Sequence, residues 1–217
     1  MNFLLSMPKS EGRIPRIDQL KPRHLDAALF GMGCFLSSEP RFGIVCGVWR
    51  TTVGYTGGRY GSPSHGNAGD HAEVVLVEYD PVQLSYGQLL EIFLGWNDGV
   101  FNSRCIPRIF VKNEFERRLA QAALARRGME AGARVLACRT FHRAEPSCQK
   151  YFLRTFPLLM REAEGFYPDE EALLHSALAM RLNGILGQRS PLFCLPEDYE
   201  LYDLSEAANR VLAHLIQ

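Results

Sequence analysis

The chain has no excess of charge of either sign: 24 lysines and arginines are matched by 24 aspartates and glutamates, for a formal net charge of +0. A partner steered by net charge is therefore not expected, which argues against nucleic acid or an anionic membrane. Long apolar runs are missing too. Every helix-length apolar stretch is interrupted by charge, so no bilayer span is expected. The six cysteines, at 34, 46, 105, 138, 148 and 194, form no C-x-x-C pair and no His/Cys group at zinc-ligand spacing. No metal site is expected from them, and their scatter does not suit a secreted disulfide framework. A reducing compartment, the cytoplasm, is the expectation. The apolar start, Met1 to Met7, is too short for a secretion signal and runs into Pro8. Four basic residues and two prolines over residues 12–23 leave a mitochondrial leader open. There is no internal repeat and no low-complexity segment.

What is present is a mixture of strand and helix patterns. At 217 residues, 47% hydrophobic and 22% charged, the chain is long enough for one domain with a sizeable core and terminal extensions. Strand patterns fall at residues 25–32, 45–55, 73–79, 107–112 and 134–138, several of them rich in β-branched residues. Helix patterns fall at 34–42, 84–95, 113–129, 145–153, 169–186 and 204–216. Pro40 is expected to stop the first of these early, and Asn113 to cap the third. Without strict β-α-β alternation the fold class reads as α+β, a mixed sheet flanked by helices. Residues 1–24 read as a polar surface arm, 25–160 as the main domain, and 161–217 as a helical extension packed on it.

One cysteine stands out. Gly33-Cys34-Phe35-Leu36 follows the apolar run Ala27 to Met32 and opens a predicted helix. First-turn N–H groups and the helix dipole favour a thiolate at such a position, and the thiolate is the nucleophilic form. Further along come Val53-Gly54-Tyr55-Thr56-Gly57-Gly58 and then His71-Ala72-Glu73, which opens a strand.

These segments, in this order, resemble the A-type methionine sulfoxide reductases, whose pattern reads Gly-Cys-Phe-Trp, Val-Gly-Tyr-(Ala/Thr)-Gly-Gly and His-(Ala/Thr)-Glu. The likeness runs over about residues 26–153 and continues through Glu78-Tyr79-Asp80-Pro81 and Gln149-Lys150-Tyr151. Three ordered motifs at compatible spacing are a specific signal. The resemblance implies a two-layer sandwich with a ferredoxin-like core. It also implies thiol-dependent reduction of the S-epimer of methionine sulfoxide, free or in proteins. No bound cofactor is implied, since the electrons come from thioredoxin or another thiol, and a monomer is expected.

Sulfoxide reduction needs a soft nucleophile for sulfur and a proton for the departing oxygen. Cys34 is the expected nucleophile. Glu73, with apolar neighbours Ala72, Val74 and Val75, is the expected acid. The resemblance adds Asp98, in Asn97-Asp98-Gly99, as an orienting carboxylate. It makes Phe35 and Leu36 the walls of a slot for the substrate methyl, Leu36 standing where the family has Trp. Tyr55 joins them as a substrate-binding residue, and His65, in Ser62-Pro63-Ser64-His65, stands where the family has an oxygen-binding Tyr. The family's second such Tyr is lost, with Cys105 in that region. Family Tyr-His becomes Ser147-Cys148 ahead of Gln149. A sulfenic acid left on Cys34 needs a second thiol, for which Cys105, Cys148 and Cys194 are the candidates. Cys46 and Cys138, in predicted strands, read as core. The alternative is a relative that binds a partner or senses oxidants through Cys34, or that takes a different sulfur substrate.

Overall fold

Along β1 (Asp26–Gly31) the side chains alternate, Ala28 and Phe30 joining the main core and Leu29 a smaller cluster on the other face. The computed structural model describes residues 13–96, 106–187 and 199–216. In it β1 pairs antiparallel with β3 (Ala72–Tyr79) on one side and β4 (Arg108–Val111) on the other. Beyond β3 lie β2 (Val48–Thr56) and the short β6 (His142–Arg143), and beyond β4 lies β5 (Arg134–Ala137), which runs parallel to it. The sheet order is β5-β4-β1-β3-β2-β6. Helices α2 (Phe35–Gly43), α3 (Tyr86–Gly95) and α4 (Glu114–Arg126) cover one face, and Phe42, Phe93 and Ala123 meet Phe30, Val75 and Ile109 in the core. Phe30 stacks on Phe93 at 4.5 Å and on Phe42 at 5.6 Å. The expected α+β fold with a mixed sheet is therefore what forms.

A second apolar cluster gathers the C-terminal helices α5 (Tyr151–Arg154), α6 (Pro157–Glu164), α7 (Glu170–Leu174), α8 (Ala177–Leu186) and α9 (Glu206–Ile216). It also takes in Ile17 of the short α1 (Arg16–Gln19). Helix α8 lies against α2 at a glycine contact: a Cβ on Gly184 would come within 2.8 Å of the Gly43 carbonyl carbon. Arg181 closes the end of α2 by donating to the carbonyls of Gly43, Val45 and Val48 at 2.7, 3.1 and 3.2 Å. The Gly43 carbonyl, at the end of α2, carries the negative end of the helix dipole, so a guanidinium suits it.

Buried Glu39 of α2 is the joint between the two clusters. Its carboxylate accepts from the Lys150 ammonium at 2.6 Å, the Lys150 N–H at 3.1 Å, the Thr51 hydroxyl at 3.0 Å and the Asn183 amide at 3.3 Å. One group thereby ties α2, β2, α8 and the segment leading into α5. Next to it Gln149 replaces a missing strand partner, its side-chain amide accepting from Val53 N–H at 3.0 Å and donating to Val53 O at 2.8 Å.

Several local expectations differ from the structure. Helix α2 runs through Pro40 to Gly43, because Glu39 and the α8 contact supply packing that outweighs one lost ladder bond. The single helix expected over 145–153 is a 3-10 turn, Pro146–Cys148, and α5, separated by Lys150 at φ +52°. The helix expected over 169–186 is two, because Ser176 caps α8 through its hydroxyl and Ala179 N–H, 3.0 Å apart. Helix α6 occupies a stretch read as having no element. Residues 13–24, expected as a surface arm, bury Ile17, and Asp18 accepts from Ala177 N–H at 2.6 Å. Cys46 and Cys138, expected in the core, are exposed.

Candidate active site

At the end of β1 the chain turns through Gly33, whose φ of +93° belongs to glycine, and Cys34 becomes the N-cap of α2. The Cys34 carbonyl accepts from the N–H groups of Ser37 and Ser38, both at 3.2 Å, and from both hydroxyls, each at 2.9 Å. Its thiol makes no capping bond and is exposed. The first helical N–H, that of Phe35, donates to Glu73 Oε2 at 3.0 Å. Strand β3 thus delivers the Glu73 carboxyl to the helix turn that begins with Cys34. Glu73 Oε1 makes no hydrogen bond among the described residues. Cys34 and Glu73 line one open cleft of about 360 Å³ with Gly33, His71, Arg108 and Phe110.

A second set of side chains flanks the same helix start. Phe35 is fully buried, its ring centroid 5.4 Å from Tyr55 and 6.0 Å from His65. Tyr55 pairs with Glu73 across β2 and β3, and its hydroxyl donates to Glu145 Oε2 at 3.2 Å. The exposed His65 donates its backbone N–H to Glu145 Oε1 at 2.9 Å. Backbone N–H groups, its own and that of His65, hold the Glu145 carboxyl below the usual carboxylate range. Burial, and then the charge on Glu145, push the Tyr55 phenol well up, so it serves as a hydrogen-bond donor. Leu36 is half-buried and packs against the main core. Cys148 is buried, and its thiol lies 3.9 Å from Glu145 Oε2.

The structure thus gathers Cys34, Glu73, Phe35, Tyr55, His65 and Cys148 about one helix start. Asp98, Cys105 and Cys194 lie outside the described residues. Two contributors were not singled out from the sequence. Glu145 joins Tyr55 to His65, and the Arg108 side chain lines the cleft with no side-chain hydrogen bond or ion pair among the described residues. Strand alternation carried a signal for Arg108, which lies two positions from Phe110 on the same face of β4. Among the described residues no group of three or more His, Cys, Asp or Glu side chains forms a candidate metal site.

An exposed thiol at a helix start, with a carboxyl bonded to that helix's first N–H, defines the class: a cysteine-based enzyme site with an acid at hand. Comparison with known proteins makes the class specific. The chain belongs to the peptide methionine sulfoxide reductase family, whose sequence profile matches residues 26–163. It is 37% identical over 182 residues to peptide methionine sulfoxide reductase A5 of Arabidopsis thaliana, a match covering 78% of this chain and 71% of that one. The A5 protein of Oryza sativa subsp. japonica is 39% identical over 171 residues, covering 73% and 66% of the two chains. The Drosophila melanogaster peptide methionine sulfoxide reductase is 35% identical over 170 residues, covering 73% and 67%. The fold is similar to that of reduced Mxr1 from Saccharomyces cerevisiae, with a TM-score of 0.50 at 20% identity, covering 63% of this chain and 88% of that one.

Proposed function

We propose that this chain reduces the S-epimer of methionine sulfoxide, in proteins or free, to methionine, with Cys34 as nucleophile and Glu73 as acid. The Cys34 thiolate attacks the sulfoxide sulfur while Glu73 gives its proton to the oxygen. The sulfur–oxygen bond then breaks, methionine leaves, and Cys34 holds the oxygen as a sulfenic acid. A thioredoxin-like dithiol returns Cys34 to the thiol, becoming a disulfide and releasing water. The observation that supports this reading is the 3.0 Å bond from Phe35 N–H to Glu73 Oε2, next to Cys34 at the N-cap of α2.

Half-buried Leu36 offers the wall for the substrate methyl, backed by Phe35, which is fully buried against Tyr55 and His65. Tyr55 acts through Glu145 and positions the pocket. His65 faces the sulfoxide oxygen and donates to it, and Asp98 orients the water around Cys34. The catalytic unit comprises the sheet with α2, α3 and α4, and the cluster of α1 and α5 to α9 is its helical extension. The compartment that suits this chemistry is a reducing one such as the cytoplasm, where a dithiol donor is replenished.

The test is dithiothreitol-driven reduction of each epimer of N-acetyl methionine sulfoxide. Wild type is expected to turn over the S-epimer only, and Cys34→Ser neither. Absence of turnover on any S-epimer in wild type, with Cys34 still oxidised by peroxide, would replace this reading by that of an oxidant sensor.

A further inference from the structure

Arg108 is a charged residue of the cleft that the proposed reaction leaves unused. It opens β4 beside the end of β1, paired in register with Gly31, a short turn ahead of Cys34. A Cβ on Gly31 would sit 3.5 Å from the Arg108 Cβ and 2.9 Å from the Glu73 carbonyl oxygen. The missing side chain of Gly31 therefore leaves room between the strand of Glu73 and that of Arg108. Arg108 and Phe110 share one face of β4, and their parallel register partners Arg134 and Leu136 share the same face of β5. Phe110 and Leu136 line the cleft together with Arg108. This side of the cleft is apolar at Phe110 and Leu136, with the cationic Arg108 and Arg134 next along the two strands.

No carboxylate among the described residues neutralises Arg108. The other arginines withdrawn from solvent in that set all have partners. Arg50, Arg127 and Arg154 pair with Glu78, Glu91 and Glu170, Arg117 with Glu114, and Arg181 with three backbone carbonyls. Arg108 is half-buried and its guanidinium has none. Arg134 donates to the carbonyls of Ala131 and Ala133 at 3.3 and 3.2 Å and makes no ion pair among the described residues. The carboxylates that line the cleft are engaged by other groups. Glu73 accepts from Phe35 N–H, and Asp70 accepts from Arg59 N–H at 2.8 Å with His71 Nδ1 3.4 Å away.

A guanidinium stays charged across the working pH range and takes a carboxylate through two parallel N–H bonds. We infer that Arg108 receives a carboxylate of the substrate and so sets which sulfoxides the cleft prefers. That carboxylate is the α-carboxylate of free or C-terminal methionine sulfoxide, or the side chain of an acidic residue beside it in a peptide. The inference rests on the proposed function, because it concerns what surrounds the sulfoxide that Cys34 attacks. Arg108 acts away from the bonds that change, so it binds ground and transition states alike and its effect falls on KM rather than kcat.

The experiment uses the full-length chain and two pairs of S-epimer substrates under dithiothreitol-driven steady state. One pair is N-acetyl methionine sulfoxide and its amide; the other is a peptide amide with Glu or Gln next to the sulfoxide. Wild type is expected to show a KM about 10-fold lower for the acid of at least one pair, a gap that narrows with added salt. The pair that shows it identifies the source of the carboxylate. Arg108→Met should raise KM for that acid about 10-fold more than for its neutral partner, and Arg108→Lys should keep part of the preference. Equal KM values within both pairs in wild type overturn the inference. So does an Arg108→Met protein that loses kcat equally on acids and neutral substrates, the mark of a donor to the sulfoxide oxygen. A second readout needs no turnover: alkylation of Cys34 by iodoacetate, an anion, and by neutral iodoacetamide, followed by mass spectrometry with exposed Cys46 as internal control. The ratio of the two rates at Cys34 should fall about 3-fold or more in Arg108→Met, with the ratio at Cys46 unchanged. A ratio that does not move overturns the inference. A ratio that moves in a protein whose wild type reduces no S-epimer substrate overturns the reductase reading instead. The wild-type comparisons hold whether or not the methionine variant folds.

Discussion

Replacing Lys150 by Met probes the joint that holds α2, the helix Cys34 opens. The Lys150 ammonium lies 2.6 Å from Glu39 Oε1 and 2.7 Å from the Thr51 carbonyl, and both members of the ion pair are 1% exposed. Met has similar length and no charge, so the change strands the Glu39 carboxylate in the interior. Removing one partner of a buried pair costs about 3–5 kcal/mol. Glu39 keeps three donors in the variant, Lys150 N–H, the Thr51 hydroxyl and the Asn183 amide, which places the expected loss at the lower end, ~3 kcal/mol. For a chain of this size that is a fall in Tm of about 6–12 °C. Adding Glu39→Gln to Lys150→Met removes the stranded charge and is expected to recover about 1–2 kcal/mol. Thermal unfolding followed by circular dichroism, with urea titration of the three proteins, measures both quantities. A Tm for Lys150→Met within about 2 °C of wild type, or no recovery in the double variant, would refute the account of Glu39 as a charge compensated by Lys150.

Gly184→Ala should push α8 off α2, because the added carbon would meet the Gly43 carbonyl carbon at 2.8 Å. The expected cost is about 1–3 kcal/mol in urea unfolding, and Ser37→Ala, at an exposed position of α2, serves as the control. Glu91 is held below the ordinary carboxylate range by its hydrogen bond to Arg126, against an opposing desolvation and with the help of Arg127. A depressed carboxyl stabilises the fold above its unfolded pKa, and that contribution is lost as the pH falls through its folded value. Glu91→Gln should therefore cost at most about 1 kcal/mol at pH 7 for so exposed a pair. Its stability should converge with that of wild type as the pH falls below the ordinary carboxylate value and through the lowered folded one, as read by melting temperature against pH. Phe35→Leu, which removes the ring between Tyr55 and His65, should raise KM for the S-epimer more than it lowers kcat, measured in steady state.

The turn from β1 into α2, which holds the candidate site, was legible in the sequence because its signals are local. A buried strand ending at Gly33 and a helix beginning at Cys34 need no distant partner to be recognised, and the Ser85 and Asn113 caps announce α3 and α4. What was not legible depends on contacts far along the chain. Lys150 adopts a left-handed backbone because Glu39, 111 residues away, takes both its N–H and its ammonium. Pro40 stays helical because α2 is clamped by the same carboxylate and by Arg181. Helix α6 did carry a local mark, Pro157 at its first turn. Cys46 and Cys138 read as core from their β-rich surroundings, yet one follows the helix and the other leaves the edge strand β5, where side chains are exposed. In the site, Glu145 went unremarked because its role lies in whom it joins, Tyr55 from β2 and His65 from the long loop.

The central claim concerns one proton and one sulfur, and the first turnover of Glu73→Gln tests it most directly. With enzyme in excess over S-epimer sulfoxide, Glu73→Gln should form methionine about 10²- to 10⁴-fold more slowly than wild type, while peroxide still oxidises Cys34 in the variant at the wild-type rate. A Gln variant that forms methionine at the wild-type rate contradicts the assignment of Glu73 as the group that protonates the departing oxygen.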